Sequence, residues 1–236
     1  MKRVFDPIAI IHSPYKEKFA VPRQPGLVPN AKAELEILSP YNDINAFSGL
    51  DAFSHLWLVF VFHKNRQQEK FSPTVRPPRL GGNKRLGVFA TRSPSRPNPI
   101  GLSLVEFHGI KQQNGKIFLQ LGNIDLVDET PIIDIKPYIP YADSKPEALA
   151  GFAQYSPEAL MEVEFSKQAI QQLSKTKQYY PDLQQLIIEV LQQDPRPAYK
   201  KDKPDPKTYA VHLSDFNVCW KNIGMITTVI SIDTIV

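Results

Sequence analysis

Over the first 140 residues, apolar positions come in short blocks broken by Pro-, Gly- and Asn-bearing turns. Phe5 to His12 reads as a strand, and Ala33 to Leu38 as another, closed by Ser39-Pro40. Ser54 to Phe62 is aromatic and β-branched, the composition of a strand buried on both faces. Leu86 to Ala90, Leu102 to Ile110, Lys116 to Leu121 and Ile132 to Ile135 follow. Between two of these lies Gln112-Gln113-Asn114-Gly115, where Asn-Gly supplies residues that tolerate positive φ, so a hairpin is predicted. Short strands joined by turns, without alternating helices, predict a mostly antiparallel barrel or sandwich.

Near residue 145 the period changes. Gln168 to Gln178 and Pro181 to Gln193 read as helices. The second opens on Pro181-Asp182, which suits a first helical turn, and carries Leu183, Leu186, Ile187, Val190 and Leu191 on one face. Asp194-Pro195-Arg196-Pro197 stops it. Tyr209 to Trp220 and Ile223 to Ile232 read as two further strands, and the charged stretch Lys200 to Lys207 as a loop. The expectation is mainly β: a domain over 1–145, then a smaller α+β domain over 150–236.

Composition narrows the function classes. No stretch approaches the roughly 18 apolar residues of a membrane span, and Met1-Lys2-Arg3-Val4 is not followed by a signal-peptide core. The single cysteine, Cys219, forms no intrachain disulfide and no thiolate metal cluster. No metal site and a cytoplasmic location are therefore expected. The net charge of +4 means little alone, but nine basic residues (Lys64, Arg66, Lys70, Arg76, Arg79, Lys84, Arg85, Arg92, Arg96) face one acid, Glu69, between Lys64 and Arg96. Such a stretch holds a polyanion or is simply a solvated loop.

No Walker or Rossmann glycine loop and no nucleophile elbow occurs. Three segments carry candidate chemistry. Gly87 to Gly101 contains Arg92-Ser93-Pro94-Ser95-Arg96-Pro97-Asn98-Pro99, whose prolines stiffen the loop that presents two arginines. Guanidinium groups on such a frame fork onto a carboxylate or phosphate, or pair internal acids. Asp125 to Tyr138 places acids at 125, 128, 129 and 134, with Asp134 and Lys136 on one strand face. That cluster suits a cofactor's hydroxyls or ammonium, a proton transfer, or a structural ion-pair network. The third segment is the turn Val21 to Leu27, where Gly26 lets backbone approach a ligand.

Together the Arg-Gln-Pro-Gly turn at 23–26, the strand ending His63-Lys64, the Arg92 to Gly101 block and Thr130-Pro131-Ile132-Ile133-Asp134-Ile135-Lys136-Pro137-Tyr138 resemble the TsaA-like family of tRNA methyltransferases. The match runs from Phe5 to Tyr141, and Tyr209 to Trp220 resembles the C-terminal domain of bacterial members. The resemblance implies an antiparallel β-barrel that dimerises, with S-adenosylmethionine near the interface. It implies N6-methylation of threonylcarbamoyladenosine at tRNA position 37, beside the anticodon. The cofactor contacts it implies are Gln24, Pro25, Gly26, His63, Lys64, Arg92, the backbone near Leu102, and Asp128, Glu129, Thr130 and Pro131. Arg96, Lys136 and Tyr209 are the expected substrate contacts, with Lys200 to Lys207 helping to hold the anticodon arm, and Asp134 is the candidate base. Glu129 departs from the family, where glycine is frequent. Two other readings stay open: a non-catalytic RNA-binding module, and a methyltransferase acting on small molecules.

Overall fold

The computed structural model describes residues 4–65, 70–158, 161–197, 200 and 205–235. Along the chain lie β1 (Ala9–His12), β2 (Ala33–Ile37), β3 (His55–Val61), β4 (Thr74–Val75), β5 (Leu86–Gly87), β6 (Ile100–Gln113), β7 (Lys116–Gly122) and β8 (Pro131–Pro137). Next come α1 (Pro140–Asp143), β9 (Glu162–Phe165), α2 (Lys167–Thr176), α3 (Leu183–Gln192), β10 (Tyr209–Leu213), β11 (Phe216–Ile223) and β12 (Ile226–Thr234). Among the described residues no helix is long and apolar enough to cross a membrane.

Six strands close on themselves in the order β1-β2-β7-β6-β3-β8, every pairing antiparallel. Alternation explains the ring. In β3, Leu56, Leu58 and Phe60 point inward and are buried, while Trp57, Val59 and Val61 are only half-buried outside. The expectation of a strand buried on both faces is corrected: β3 is a wall with a partly open outer surface. Ile11, Leu35, Val105, Leu119 and Ile132 complete the interior. The β6–β7 hairpin turns on Asn114 (φ 51°) and Gly115 (φ 75°), the paired left-handed conformations that Asn-Gly allows.

The second sheet has the order β10-β11-β12-β9, with β9 parallel to β12. The stretch from Tyr209 to Trp220 is a hairpin rather than one strand: β10 and β11 pair from Leu213↔Phe216 to Tyr209↔Trp220, turning at Ser214 (φ 51°) and Asp215. The two predicted helices form, both slightly shorter than expected. Ser166 caps α2 by accepting from the Ala169 N–H at 3.1 Å. Residues 201–204 of the charged loop lie outside the described residues, as do Arg66 and Glu69 of the basic stretch.

The two sheets are joined by specific bonds. Tyr15 bridges Leu213, and the Ser214 N–H donates to the Pro14 carbonyl at 2.7 Å. The buried Glu189 carboxylate accepts from the Asn30 N–H (2.9 Å), the Asn30 side-chain amide (2.6 Å) and Gln185 (3.1 Å). Glu189→Ala takes the charged partner from both Asn30 donors in a partly buried contact. Hydrogen bonds to charged groups contribute about 1.5–3 kcal/mol net, so a loss of about 2–3 kcal/mol and roughly 5–10 °C in Tm is expected in a thermal melt.

Candidate functional site

Where β3 ends and β6 begins, the ring's rim opens into a cavity of about 800 Å³. Its floor is apolar. Phe60 and Phe62 meet edge to face at 4.9 Å, and Val59, Val61, Ile100 and Leu102 continue the surface outward. Gly101, in β6, pairs with Phe60, and a Cβ there would lie 2.1 Å from the Phe60 ring. The glycine that closes the Arg92 to Gly101 block is thus required by ring packing.

The walls carry mostly positive charge. Lys18, Arg23, Lys64, Arg92 and Arg96 line the cavity with one carboxylate, Asp125. Each arginine of the proline-stiffened loop has an anchor. Arg92 donates to the Gln24 side-chain oxygen at 2.5 Å, and Arg96 to the Thr91 carbonyl at 3.2 Å. The loop is tied to the ring by the Phe62 N–H, which donates to the Pro99 carbonyl at 2.8 Å. Burial and the neighbouring Arg79 guanidinium hold Arg23 below its ordinary pKa. Burial, reinforced by Lys64, lowers that of His63. A ligand bearing negative charge relieves this crowding.

The strip between β7 and β8 forms the opposite wall. Ile124 and Leu126 are buried, and Asp125, Leu126, Val127 and Thr130 line the cavity. Ser103 Oγ donates to the Asp125 carboxylate. Burial pushes the Asp125 pKa up to about 6, against the pull of that hydrogen bond and of the Arg92 charge.

Of the residues expected from sequence, Gln24, His63, Lys64, Arg92, Arg96, Leu102 and Thr130 line this cavity. Pro25, Gly26, Asp128, Glu129, Pro131, Asp134, Lys136 and Tyr209 are not among its lining residues. Asp128 accepts from the Ser13 N–H at 2.9 Å and from Lys16 Nζ at 2.7 Å, so it fastens the strip from behind. Glu129 adopts a left-handed φ of 65°, a conformation glycine reaches without a Cβ penalty. A register shift in the β3–β8 pairing puts Asp134 opposite Val59 and Lys136 opposite Trp57, on the outer face. There the two form an ion pair at 2.8 Å. Asp134, the candidate base, thus stands as the surface partner of Lys136, the ion-pair arrangement that the sequence left open beside the proton-transfer one. Tyr209 donates to Asp205 and stacks on Trp220 at 5.7 Å, so its contacts belong to the second sheet. Asp125 is the acid of the 125–138 cluster that sequence reasoning included but did not single out. Its signal was the alternation Ile124-Asp125-Leu126-Val127, with one acid among apolar neighbours.

A cationic wall, an apolar aromatic floor and one shielded carboxylate at the rim of a closed β ring define a site for an anionic ligand with a flat ring system. The chain belongs to the tRNA-methyltransferase O family: it matches the N-terminal domain of that family over residues 10–144 and the TrmO C-terminal domain over 158–235. It is an enzyme of that methyltransferase class. It is 56% identical over 217 residues to the tRNA (adenine(37)-N6)-methyltransferase of Escherichia coli, covering 92% of each chain. A Pyrococcus abyssi protein named as a probable S-adenosyl-L-methionine-binding protein is 35% identical over 150 residues, covering 64% of this chain and 76% of that one. The crystal structure of TrmO from Pseudomonas aeruginosa superposes with a TM-score of 0.79 at 37% identity, covering 98% of both chains.

Gly101→Ala tests the floor. The added Cβ drives the Phe60 ring off its position, and overpacking of this kind costs about 1–3 kcal/mol. A lower denaturation midpoint together with weaker ligand binding in the cavity is the expected result; calorimetry and urea unfolding measure both.

Proposed function

We propose that this protein transfers a methyl group from S-adenosylmethionine to N6 of threonylcarbamoyladenosine 37 in tRNA, working as a homodimer. The observation that carries this reading is the cavity with five cations around one carboxylate on an apolar floor. It lies in a chain that shares both domains of a tRNA methyltransferase family. The cavity volume falls within the usual small-molecule range of about 300–1,000 Å³. The donor set fits the cofactor: guanidinium and ammonium groups for its carboxylate, and Val59, Phe60 and Leu102 for its adenine. When bound, it supplies an already activated methyl on a sulfonium sulfur. The chain's part is to align the acceptor nitrogen and exclude water. Arg92, oriented by Gln24, with His63, Lys64 and the backbone at Leu102, forms the holding group.

Homodimerisation is supported by the outer surface beside the cavity, where Ile100 and Leu102 are 40% and 53% exposed next to Val59 and Val61. Covering that surface with a second copy would wall the cavity from outside. For the RNA, residues 70–96 of the rim loops are basic without an acid. They also carry Phe71 and Phe89, both exposed and stacked at 6.4 Å. Aromatic platforms flanked by cations suit unpaired anticodon-loop bases. We assign the cofactor cavity to the domain over 1–145, and auxiliary tRNA contact to the domain over 150–236.

Arg92→Ala is expected to lower methyl transfer about ten- to hundredfold, the equivalent of losing one charge-assisted contact of roughly 1.5–3 kcal/mol, with its melting temperature within about 2 °C of wild type. Steady-state kinetics beside a thermal melt separates this from a purely structural role, in which Tm falls and rate per folded molecule does not.

The threonylcarbamoyl carboxylate accounts for the cations left over after the cofactor is served. A site built for that group leaves its arginines unpaired when it is missing. Two transcripts of one tRNA, with and without the modification, are compared in a methyl-incorporation assay. Transfer to the modified transcript alone is expected. Equal transfer to both defeats carboxylate recognition. Cofactor binding without transfer to any RNA favours a small-molecule substrate, and RNA binding without cofactor affinity favours a non-catalytic module.

A further inference from the structure

Methylation of the N6 nitrogen must dispose of a proton, because that nitrogen is conjugated to both the purine and the carbamoyl group and carries one hydrogen. Among the described lining residues, Asp125 is the only carboxylate. Resting on the reading of the site as an N6-methyltransferase, we propose that the Asp125 carboxylate, held by Ser103 at the cavity wall, is the acceptor for the N6 proton during methyl transfer.

Geometry supports the role. Asp125 sits on a strip fixed at both ends: Asn123 donates its side-chain amide to Glu106, and Asp128 is clasped by Ser13 and Lys16. Its flanking residues Ile124 and Leu126 are buried and immobilise the backbone. Ser103 Oγ, itself buried, donates to Oδ1, and the carboxylate also takes a hydrogen bond from its own backbone N–H, so its orientation at the cavity wall is fixed. The charged and titratable groups that act on it are few. Arg92 favours the anion, and the buried Tyr15 hydroxyl stays protonated, raised well above its ordinary range by burial and by Asp125 itself. His63 lines the same cavity and is held below its ordinary pKa. Lys18, Arg23, Lys64 and Arg96 line the same cavity, and of its cations Arg92 is the one that acts on Asp125. With a pKa of about 6, Asp125 is ionised at neutral pH yet basic enough to take a proton.

The balance closes without another reagent. As the nitrogen lone pair forms the N–CH3 bond, the carbon–sulfur bonding pair returns to sulfur, leaving a neutral thioether. The N–H proton passes to Asp125, which becomes the neutral acid and then releases the proton to solvent. The positive charge of the sulfonium and the negative charge of the carboxylate disappear together, which suits a poorly solvated cavity.

The test uses the full-length protein and the modified transcript. Asp125→Asn is expected to lower kcat about a hundredfold or more, while KM for cofactor and for tRNA changes less than about threefold. Wild-type kcat should rise with pH to a plateau above about pH 6, an acid limb that persists in His63→Gln and disappears in Asp125→Asn. A second readout needs neither cofactor nor RNA. A carboxyl whose folded pKa is raised opposes folding in its charged form, and that penalty grows as pH rises from about 4 to about 6. Asp125→Asn should therefore melt above wild type at pH 7, with the gain vanishing towards pH 4. A kcat within threefold of wild type overturns the proposal. So does an unchanged kcat with raised cofactor KM, or an acid limb lost in His63→Gln instead. Wild-type protein that transfers no methyl to the modified transcript defeats the methyltransferase reading, and this proposal with it.

Discussion

The strip from Leu126 to Thr130 is held against the segment after β1, and the cavity depends on that clasp. Ser13 donates its N–H to Asp128 and its hydroxyl to the Leu126 carbonyl at 2.7 Å; Lys16 closes the far side. The Asp128 and Glu129 N–H groups return bonds to Tyr15 and Ile11 at 2.9 and 2.8 Å. A stretch with no regular ladder of its own is thereby as well anchored as a strand. The burial of Leu126 and, just before it, Ile124, with Asp125 half-buried between them, follows from that anchoring. The left-handed Glu129 belongs to the same constraint: the turn that leads back into β8 demands that conformation whatever residue occupies it.

The site is poorly balanced as a free protein. Five cations share a space with one carboxylate, and that carboxylate is itself held above its usual pKa by burial. Interiors built for stability pair their charges, as Asp194 and Arg196 do at 2.8 Å in the second sheet's loop. Crowding of one sign around an aromatic floor is tolerable where a ligand completes it.

Much of this arrangement was legible in the sequence because local chemistry dictated it. Asn114-Gly115 had to turn, the prolines from 94 to 99 had to stiffen their loop, and the alternation of β3 had to wall a core. Gln24, His63, Lys64, Arg92, Arg96, Leu102 and Thr130, which line the cavity together, were named by the family resemblance rather than by local pattern. The acids were harder. Whether Asp125, Asp128 or Asp134 faces the cavity is settled by the register shift in β8 and by positive φ at Asn123 and Glu129, neither of which period or composition reveals. The β10–β11 turn escaped notice because Ser214-Asp215 lacks glycine and proline; its one mark is a change of parity in the apolar positions, from Val211 and Leu213 to Phe216, Val218 and Trp220. β9 is four residues with two glutamates, too short and too polar to stand out.

A closed ring has no strand edge to protect, but the four-stranded sheet has one on each side. On β10 that edge is occupied from outside the sheet. Tyr15 pairs with Leu213, the Lys16 N–H reaches the His212 carbonyl at 3.4 Å, and Ser214 bonds to Pro14. The N-terminal segment thus acts as a built-in cover for a backbone that would otherwise seek a neighbour. Severed from the ring, the second sheet would carry an open β10 edge with Val211 and Leu213 stripped of their cover, the starting point for strand-on-strand association between copies. Inheritance of the two units on one polypeptide is in this respect a safeguard against aggregation.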